Sequence, residues 1–194
     1  MTAPVRQPQR WIITGRRGAG KTTFCQHLAA RARAWSWDVA GLLSPACLEE
    51  GHKIAIAALD LRRGESRILA GTVPHEGALR LGMWWFERET LAWGNEVLAQ
   101  ASPCDLLIVD EIGPLELELG LGWTTALEVL SDRAYRVAVA VVRPELVPRF
   151  QARWAGGRLL VIDSPLQARE LADGWSPERG FPSEPLAGCF LLCL

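Results

Sequence analysis

The sequence predicts an α/β fold: a mostly parallel central sheet with helices on both faces and a hairpin insertion. Three observations carry that prediction. Leu106–Asp110, Arg136–Val142 and Arg158–Asp163 are near-continuous apolar runs, the pattern of strands buried on both faces. Helical spacing recurs between strand-like segments. A glycine-rich turn joins a short apolar strand directly to a helix.

Taken in order, Arg10–Thr14 is a short apolar strand running into that turn. Thr22–Ala34 follows as a helix, with Phe24, Leu28 and Ala32 on one face and Gln26 and Arg33 free to face water. Val39–Leu43 is a second strand, stopped by Ser44-Pro45. His52–Leu59 and Ser66–Ala70 form a hairpin across Arg62-Arg63-Gly64-Glu65, a turn in which both arginines are expected to be solvated. Glu87–Ala101 is a helix with Leu91, Leu98 and Ala101 along one stripe. Leu121–Ser131 is helical, and Pro165–Ala172 is a last short helix. The organisation expected is one domain over 1–194, with the hairpin insertion at about 52–70 and an extended tail at about 175–194 that ends in the apolar run Cys189–Leu194.

Composition narrows the function. With 21 Lys and Arg against 22 Asp and Glu, the net charge is −1, which excludes a generally basic nucleic-acid-binding surface. Hydrophobic residues make up 49% and charged residues 22%, which excludes a mostly disordered chain. The longest unbroken apolar runs are six residues (Ile54–Leu59, Val137–Val142, Cys189–Leu194), against the roughly 20 needed to span a bilayer. No apolar signal segment precedes Trp11, and the five cysteines form no C-x-x-C pair, so a cytoplasmic location with reduced thiols is expected. Cys189 and Cys193 read as small buried hydrophobes.

Gly15-Arg16-Arg17-Gly18-Ala19-Gly20-Lys21-Thr22 matches G-x-x-x-x-G-K-[ST], the phosphate-binding loop or Walker A motif, at every fixed position. Glycines let the backbone turn tightly and aim its N–H groups at phosphate oxygens. The loop delivers the chain into a helix N-terminus, which favours anions. Lys21 is a flexible point charge for the terminal phosphates, and Thr22 supplies a hydroxyl for Mg²⁺. Arg16 and Arg17 either add positive charge over the phosphates or are solvated.

Leu106-Leu107-Ile108-Val109-Asp110-Glu111 is a buried strand ending in two acids, at the end where open α/β sheets bind ligands. Asp110 suits a Mg²⁺-holding, Walker B aspartate, and Glu111 suits a base or orienter for an attacking water. Glu116, beyond the Gly113-Pro114 turn, reads either as an acid supporting the site or as an ordinary exposed loop residue. His27 receives no catalytic role.

GRRGAGKTT, GLLSPACLEEGHKIAIAALDLRRGESRILA and DLLIVDEIGPLELE, in that order, resemble the small P-loop nucleoside-triphosphatases, the family of the cancer-related nucleoside-triphosphatase and its thermophile relatives. The resemblance spans roughly residues 10 to 165. It implies the P-loop NTPase fold and slow Mg²⁺-dependent hydrolysis of ATP, GTP and other nucleotides. It places Gly15, Gly18, Gly20, Lys21, Thr22 and Thr23 in the phosphate loop, Asp110 on the metal, and Glu111 as the catalytic glutamate. Arg143 stands where the family often carries a basic residue, and either meets the γ-phosphate or is a solvated strand-end arginine. The chain departs from the pattern at Ala46, where a glutamate is usual, at Val161–Pro165, where an Asn-Arg-Asp segment is usual, and at Trp84, often a tyrosine.

Nine tryptophans are many for 194 residues. Trp84 and Trp85 are adjacent, so in a strand they face opposite sides, one free for the core and the other for a nucleotide base or a partner. Three functions fit the motifs: a Mg²⁺-dependent nucleoside-triphosphatase, a small-molecule kinase on the same fold, and a nucleotide-dependent switch with little turnover. The triphosphatase accounts for the most motifs.

Overall fold

The computed structural model describes residues 7–132, 134–178 and 180–181. In chain order the elements are β1 (Gln9–Thr14), α1 (Lys21–Ala34), β2 (Val39–Leu43), β3 (Ala46–Glu49), β4 (His52–Asp60), β5 (Ser66–Gly71), β6 (Leu79–Leu81), β7 (Trp84–Phe86), α2 (Arg88–Ala99), β8 (Cys104–Ile112), α3 (Pro114–Leu117), α4 (Thr125–Asp132), β9 (Tyr135–Val142), a 3-10 turn (Pro144–Leu146), α5 (Val147–Arg153), β10 (Arg158–Val161) and α6 (Pro165–Gly174). The strands form one sheet in the order β10-β1-β9-β8-β2-β4-β5-β7-β6, with β3 paired to β4. From β10 to β2 every pairing is parallel; from β2 outward every pairing is antiparallel.

The apolar runs are continuous because each central strand feeds two cores. Leu106 and Ile108 of β8, with Val137, Val139 and Val141 of β9, pack under α1 and α6. Leu107 and Val109, with Ala138, Ala140 and Val142, pack on the other face with α2, α4 and α5. Period-2 alternation thus sends successive side chains to opposite, equally dry faces. The first core also receives Trp175 and Phe181, whose ring lies 4.7 Å from that of Trp11, edge to face. This is the start of the expected tail; Cys189, Cys193 and the apolar run Cys189–Leu194 lie outside the described residues.

Several expectations need correction. The run Arg158–Asp163 is strand only over Arg158–Val161 and lies at the sheet edge, where Leu159 and Val161 are each 47% exposed. The helix expected from Leu121 starts at Thr125, because Gly120 and Gly122 adopt left-handed backbone and Leu121 N–H bonds back to Leu115 O. Arg62 is not merely solvated: its guanidinium donates to the Asp38 carboxylate and to the carbonyls of Gln100, Ala101 and Pro103, tying the β4–β5 turn to the end of α2. The helix expected between the strands Arg136–Val142 and Arg158–Asp163 is α5, confined to Val147–Arg153 and preceded by the 3-10 turn Pro144–Leu146.

Much of the tryptophan excess has a physical place. Trp11, Trp37, Trp84, Trp85, Trp93 and Trp154 each lie under a cation: Arg158, Arg136, Lys53, Arg80, Arg67 and Arg10 respectively. Arg158, Arg136, Arg80 and Arg67 are exposed, while Arg10 and Lys53 are half-buried. Trp84 and Trp85 are both half-buried, so neither is the buried core ring that one of them was expected to be.

Candidate functional site

The carboxyl ends of β1, β2, β8 and β9 converge at one edge of the sheet. β1 delivers the chain into the loop Gly15–Gly20 and then into α1. Gly15 (φ +144°) and Gly20 (φ +97°) hold conformations that L side chains rarely adopt. A Cβ on Gly15 would collide with Ile162 O, and one on Gly20 would stand 2.8 Å from Pro165 Cα. Glycine is therefore required at both by backbone angle and by space. The helix that follows has no side-chain cap and no acid in its first turn, so its leading N–H groups and dipole face the loop uncompensated. Lys21 Nζ donates to Gly15 O (2.7 Å) and Arg16 O (3.0 Å), folding the ammonium over its own loop. Arg16 and Arg17 are exposed.

The two acids lie in contrasting surroundings. Asp110 is 1% exposed; its Oδ2 accepts from Ser44 N–H at 3.1 Å, and its backbone oxygen accepts from the Ser44 hydroxyl. Burial raises its carboxyl to about 6; Glu111 adds to the rise, while the Ser44 N–H, the Thr22 hydroxyl and Lys21 oppose it. The same carboxylate, after burial, helps push the Cys25 thiol of α1 upward, which locates Asp110 on the α1 face. The register of β8 shifts between Asp110 and Ile112, and the Asp110–Glu111 peptide bond is cis. Glu111 is half-exposed, and its Oε1 accepts from Arg143 Nε at 2.6 Å. Arg143 follows the end of β9, and its side chain is engaged with Glu111.

Glu116 is buried, not an exposed loop residue. Oε2 accepts from Gly113 N–H (2.8 Å) and Oε1 from Trp123 N–H (3.0 Å), so one carboxylate closes both ends of the segment after β8. Burial raises its pKa, against those two N–H bonds. Its role in the structure is to hold the loop beside Glu111.

Thus the structure brings the loop, Lys21, Thr22, Asp110, Glu111 and Arg143 to one edge. Sequence reasoning missed Ser44, which anchors Asp110; a strand end next to the acidic strand was the signal, but the pairing of β2 with β8 was not legible. It also missed Lys53 of β4, whose pKa burial lowers and whose surrounding charges are Glu111, Arg17, Asp110 and Arg143. That lysine lies in the hairpin segment quoted for the resemblance, where nothing set it apart from its neighbours.

The donor set fits a hard divalent ion. Asp110 is a buried carboxylate with the Thr22 hydroxyl as neighbour, both oxygen donors. Mg²⁺ in triphosphate sites takes one or two carboxylates and completes its shell with phosphate oxygens and water. No described helix is long and apolar enough to cross a membrane.

Comparison with known proteins agrees with this geometry. A family model described as NTPase matches residues 10–164. Nucleoside-triphosphatase THEP1 of Methanopyrus kandleri is 33% identical over 151 residues, covering 71% of this chain and 82% of that protein. The protein of the same name from Saccharolobus solfataricus is 31% identical over 155 residues, covering 79% and 83%. Among solved structures, the solution structure of a human cancer-related nucleoside triphosphatase superposes with TM-score 0.63 at 20% identity, over 85% of this chain and 94% of that one. The crystal structure of THEP1 from Aquifex aeolicus gives 0.62 at 19%, over 84% and 94%. These two likenesses establish the fold.

Proposed function

The chain belongs to the nucleoside-triphosphatase family, and from that premise we propose that it hydrolyses the terminal phosphoanhydride of nucleoside triphosphates with Mg²⁺ at the edge formed by β1, β2, β8 and β9. The observation that carries the site assignment is the pairing of a complete phosphate loop with two adjacent carboxylates in opposite environments, one buried and one half-exposed.

In this reading the loop amides, the N-terminus of α1 and Lys21 hold the β- and γ-phosphates. Lys21 reaches them by giving up its bonds to Gly15 O and Arg16 O. Thr22 and Asp110 would hold Mg²⁺, which when bound neutralises phosphate charge. Glu111 orients a water and accepts its proton as the water oxygen bonds to the γ-phosphorus; the bond from that phosphorus to the β–γ bridging oxygen breaks, and the nucleoside diphosphate leaves with that oxygen. Arg143 holds Glu111 in place through Nε–Oε1. Ser44 fixes Asp110 through two bonds and does not touch substrate.

Phosphate release from ATP, GTP, CTP and UTP tests this, measured with Mg²⁺ and with EDTA, beside Lys21→Ala and Glu111→Gln. Release that needs Mg²⁺ and falls in both variants is expected, with Glu111→Gln slower by roughly 10²-fold or more while still binding nucleotide. Wild-type rates in both variants would refute the site. Turnover seen only with an added hydroxyl acceptor would replace hydrolysis by phosphoryl transfer to that acceptor.

A further inference from the structure

Lys53 lies in the quoted hairpin segment, where it received no role, and it reaches the same edge. β2 ends at Leu43, opposite Leu59 of β4, and β4 starts seven residues earlier at His52. The first part of β4, with β3 beside it, therefore continues past the carboxyl end of β2, where the phosphate loop and the acids lie. The base of this hairpin is fastened to the site, because Ser44, just before β3, bonds to Asp110.

The lysine's own surroundings are incomplete. Its side chain is half-buried, and its Nζ stands 5.0 Å from the ring centroid of Trp84. Among the described residues it donates to no acceptor. An ammonium withdrawn from water without an anion or an acceptor is costly to keep, and a ring face offers no lone pair for its three donors. The charges that act on it are two carboxylates and two more cations, Glu111, Asp110, Arg17 and Arg143. Both carboxylates are committed: Asp110 to Ser44 and Thr22, Glu111 to Arg143. With Lys21 at the loop, four cations share this edge with two acids, and the missing counter-charge is an anion.

We propose that Lys53 is a substrate-contacting residue that leaves the face of Trp84 to bind the γ-phosphate, so that the β3–β4 hairpin distinguishes nucleoside triphosphate from diphosphate. This rests on the reading of the site given above. The γ-phosphate is the group singled out because Glu111, the strongest of the charges acting on Lys53, is the residue that the reading above gives to the attacking water. A lysine suits the exchange: a compact charge on a flexible four-carbon stem can swing between two partners without moving the backbone. A diphosphate stops short of that point and leaves Lys53 on Trp84.

The experiment is calorimetric binding of ADP and of a non-hydrolysable β,γ-imido ATP, with Mg²⁺, to full-length wild type, Lys53→Met, Lys53→Arg and Lys21→Ala. Lys53→Met should weaken the triphosphate analogue about 10- to 100-fold and leave ADP unchanged, the loss expected for one charged hydrogen bond. Lys53→Arg should restore most of the difference. Tryptophan emission gives a second readout: the analogue, and not ADP, should change it in wild type, and the change should shrink in Lys53→Met and in Trp84→Phe. Equal weakening of both nucleotides in Lys53→Met would make the residue structural and overturn the proposal, as would an unchanged ratio of the two affinities. Failure of wild type to bind either nucleotide would instead overturn the underlying reading; binding that is lost only in Lys21→Ala keeps that reading and rejects Lys53.

Discussion

Asp110→Asn is expected to stabilise the protein at neutral pH when neither metal nor nucleotide is present, and the gain should fade in acid. Asp110 is 1% exposed, and its carboxyl is raised from 3.8 to about 6, first by burial. That rise corresponds to roughly 3 kcal/mol. A carboxyl raised in this way binds its proton more tightly in the folded chain than in the unfolded one. Between pH 3.8 and about 6 the folded state therefore holds more protons, and stability falls as pH climbs through that window. Below it both states are protonated and the group costs nothing; above it both are ionised and the whole cost is in force. Asparagine has nearly the same shape and no charge to bury. Any difference in fit between asparagine and a protonated aspartic acid is the same at every pH, so only the ionisation of Asp110 makes the two proteins diverge. Urea unfolding with EDTA at pH 4 and pH 7.5 isolates this. The stability of the variant relative to wild type should be about 2.5 kcal/mol higher at pH 7.5 than at pH 4, the part of the cost that falls between them. In melting temperature this is roughly 5–10 °C. A relative stability that stays constant to within about 1 kcal/mol across that interval would refute the argument that the site stores its cost in Asp110.

Other substitutions probe the supports. Glu116→Ala leaves the buried N–H groups of Gly113 and Trp123 without their acceptor; chemical unfolding should show a loss of about 2–5 kcal/mol, with a fall in turnover, and a loss under about 1 kcal/mol would deny that Glu116 holds the loop. Gly94 of α2 packs so closely on Trp123 that an added Cβ collides with Nε1. Gly94→Ala should therefore cost about 1–3 kcal/mol despite alanine's better helix propensity, and a melting temperature above wild type would contradict that packing. Arg143→Ala should lower kcat roughly 10- to 100-fold with little change in KM for ATP, because it frees Glu111 and leaves the phosphate loop intact. A raised KM with unchanged kcat would show that Arg143 binds substrate instead of positioning the glutamate.

What the sequence could reveal depended on how local the cause was. The phosphate loop was legible because its glycines answer to backbone angles within a few residues. The strand ending in Asp110 and Glu111 was legible because burial on both faces leaves an unbroken apolar run. By contrast, Arg158–Val161 carries the same run but meets solvent, since a strand's position in the sheet is set by partners elsewhere in the chain. Glu116 could not be assigned because its two N–H partners lie three residues before it and seven after it, in a loop whose path is fixed by Gly120 and Gly122. β3 escaped notice because the short stretch Ala46–Glu49 owes its strand form to pairing with β4, with no alternation of its own. Ser44 and Lys53 reach the site only through the β2–β8 and β2–β4 pairings, which one chain read in order does not disclose.

The pairing of the site's charges has a consequence for how substrate binds. Lys21 is bonded to two carbonyls of its own loop, Glu111 is bonded to Arg143, and Asp110 takes the Ser44 N–H and the Thr22 hydroxyl. A triphosphate that enters must replace the two carbonyl bonds of Lys21 while the Arg143–Glu111 and Ser44–Asp110 bonds stay, and an exchange between partners of similar strength returns little net free energy. What remains to favour binding is the set of groups with little to give up: the leading amides of α1, the exposed Arg16 and Arg17, and the ammonium of Lys53, which leaves only the face of Trp84. The amides lie at the loop and serve any phosphate chain, whereas the charge that acts most on Lys53 is that of Glu111. Affinity in general is thus assigned to the helix end, and preference for the third phosphate to the hairpin. That division explains why a loop common to many nucleotide-binding proteins can be joined to an insertion that decides which nucleotide is held for hydrolysis.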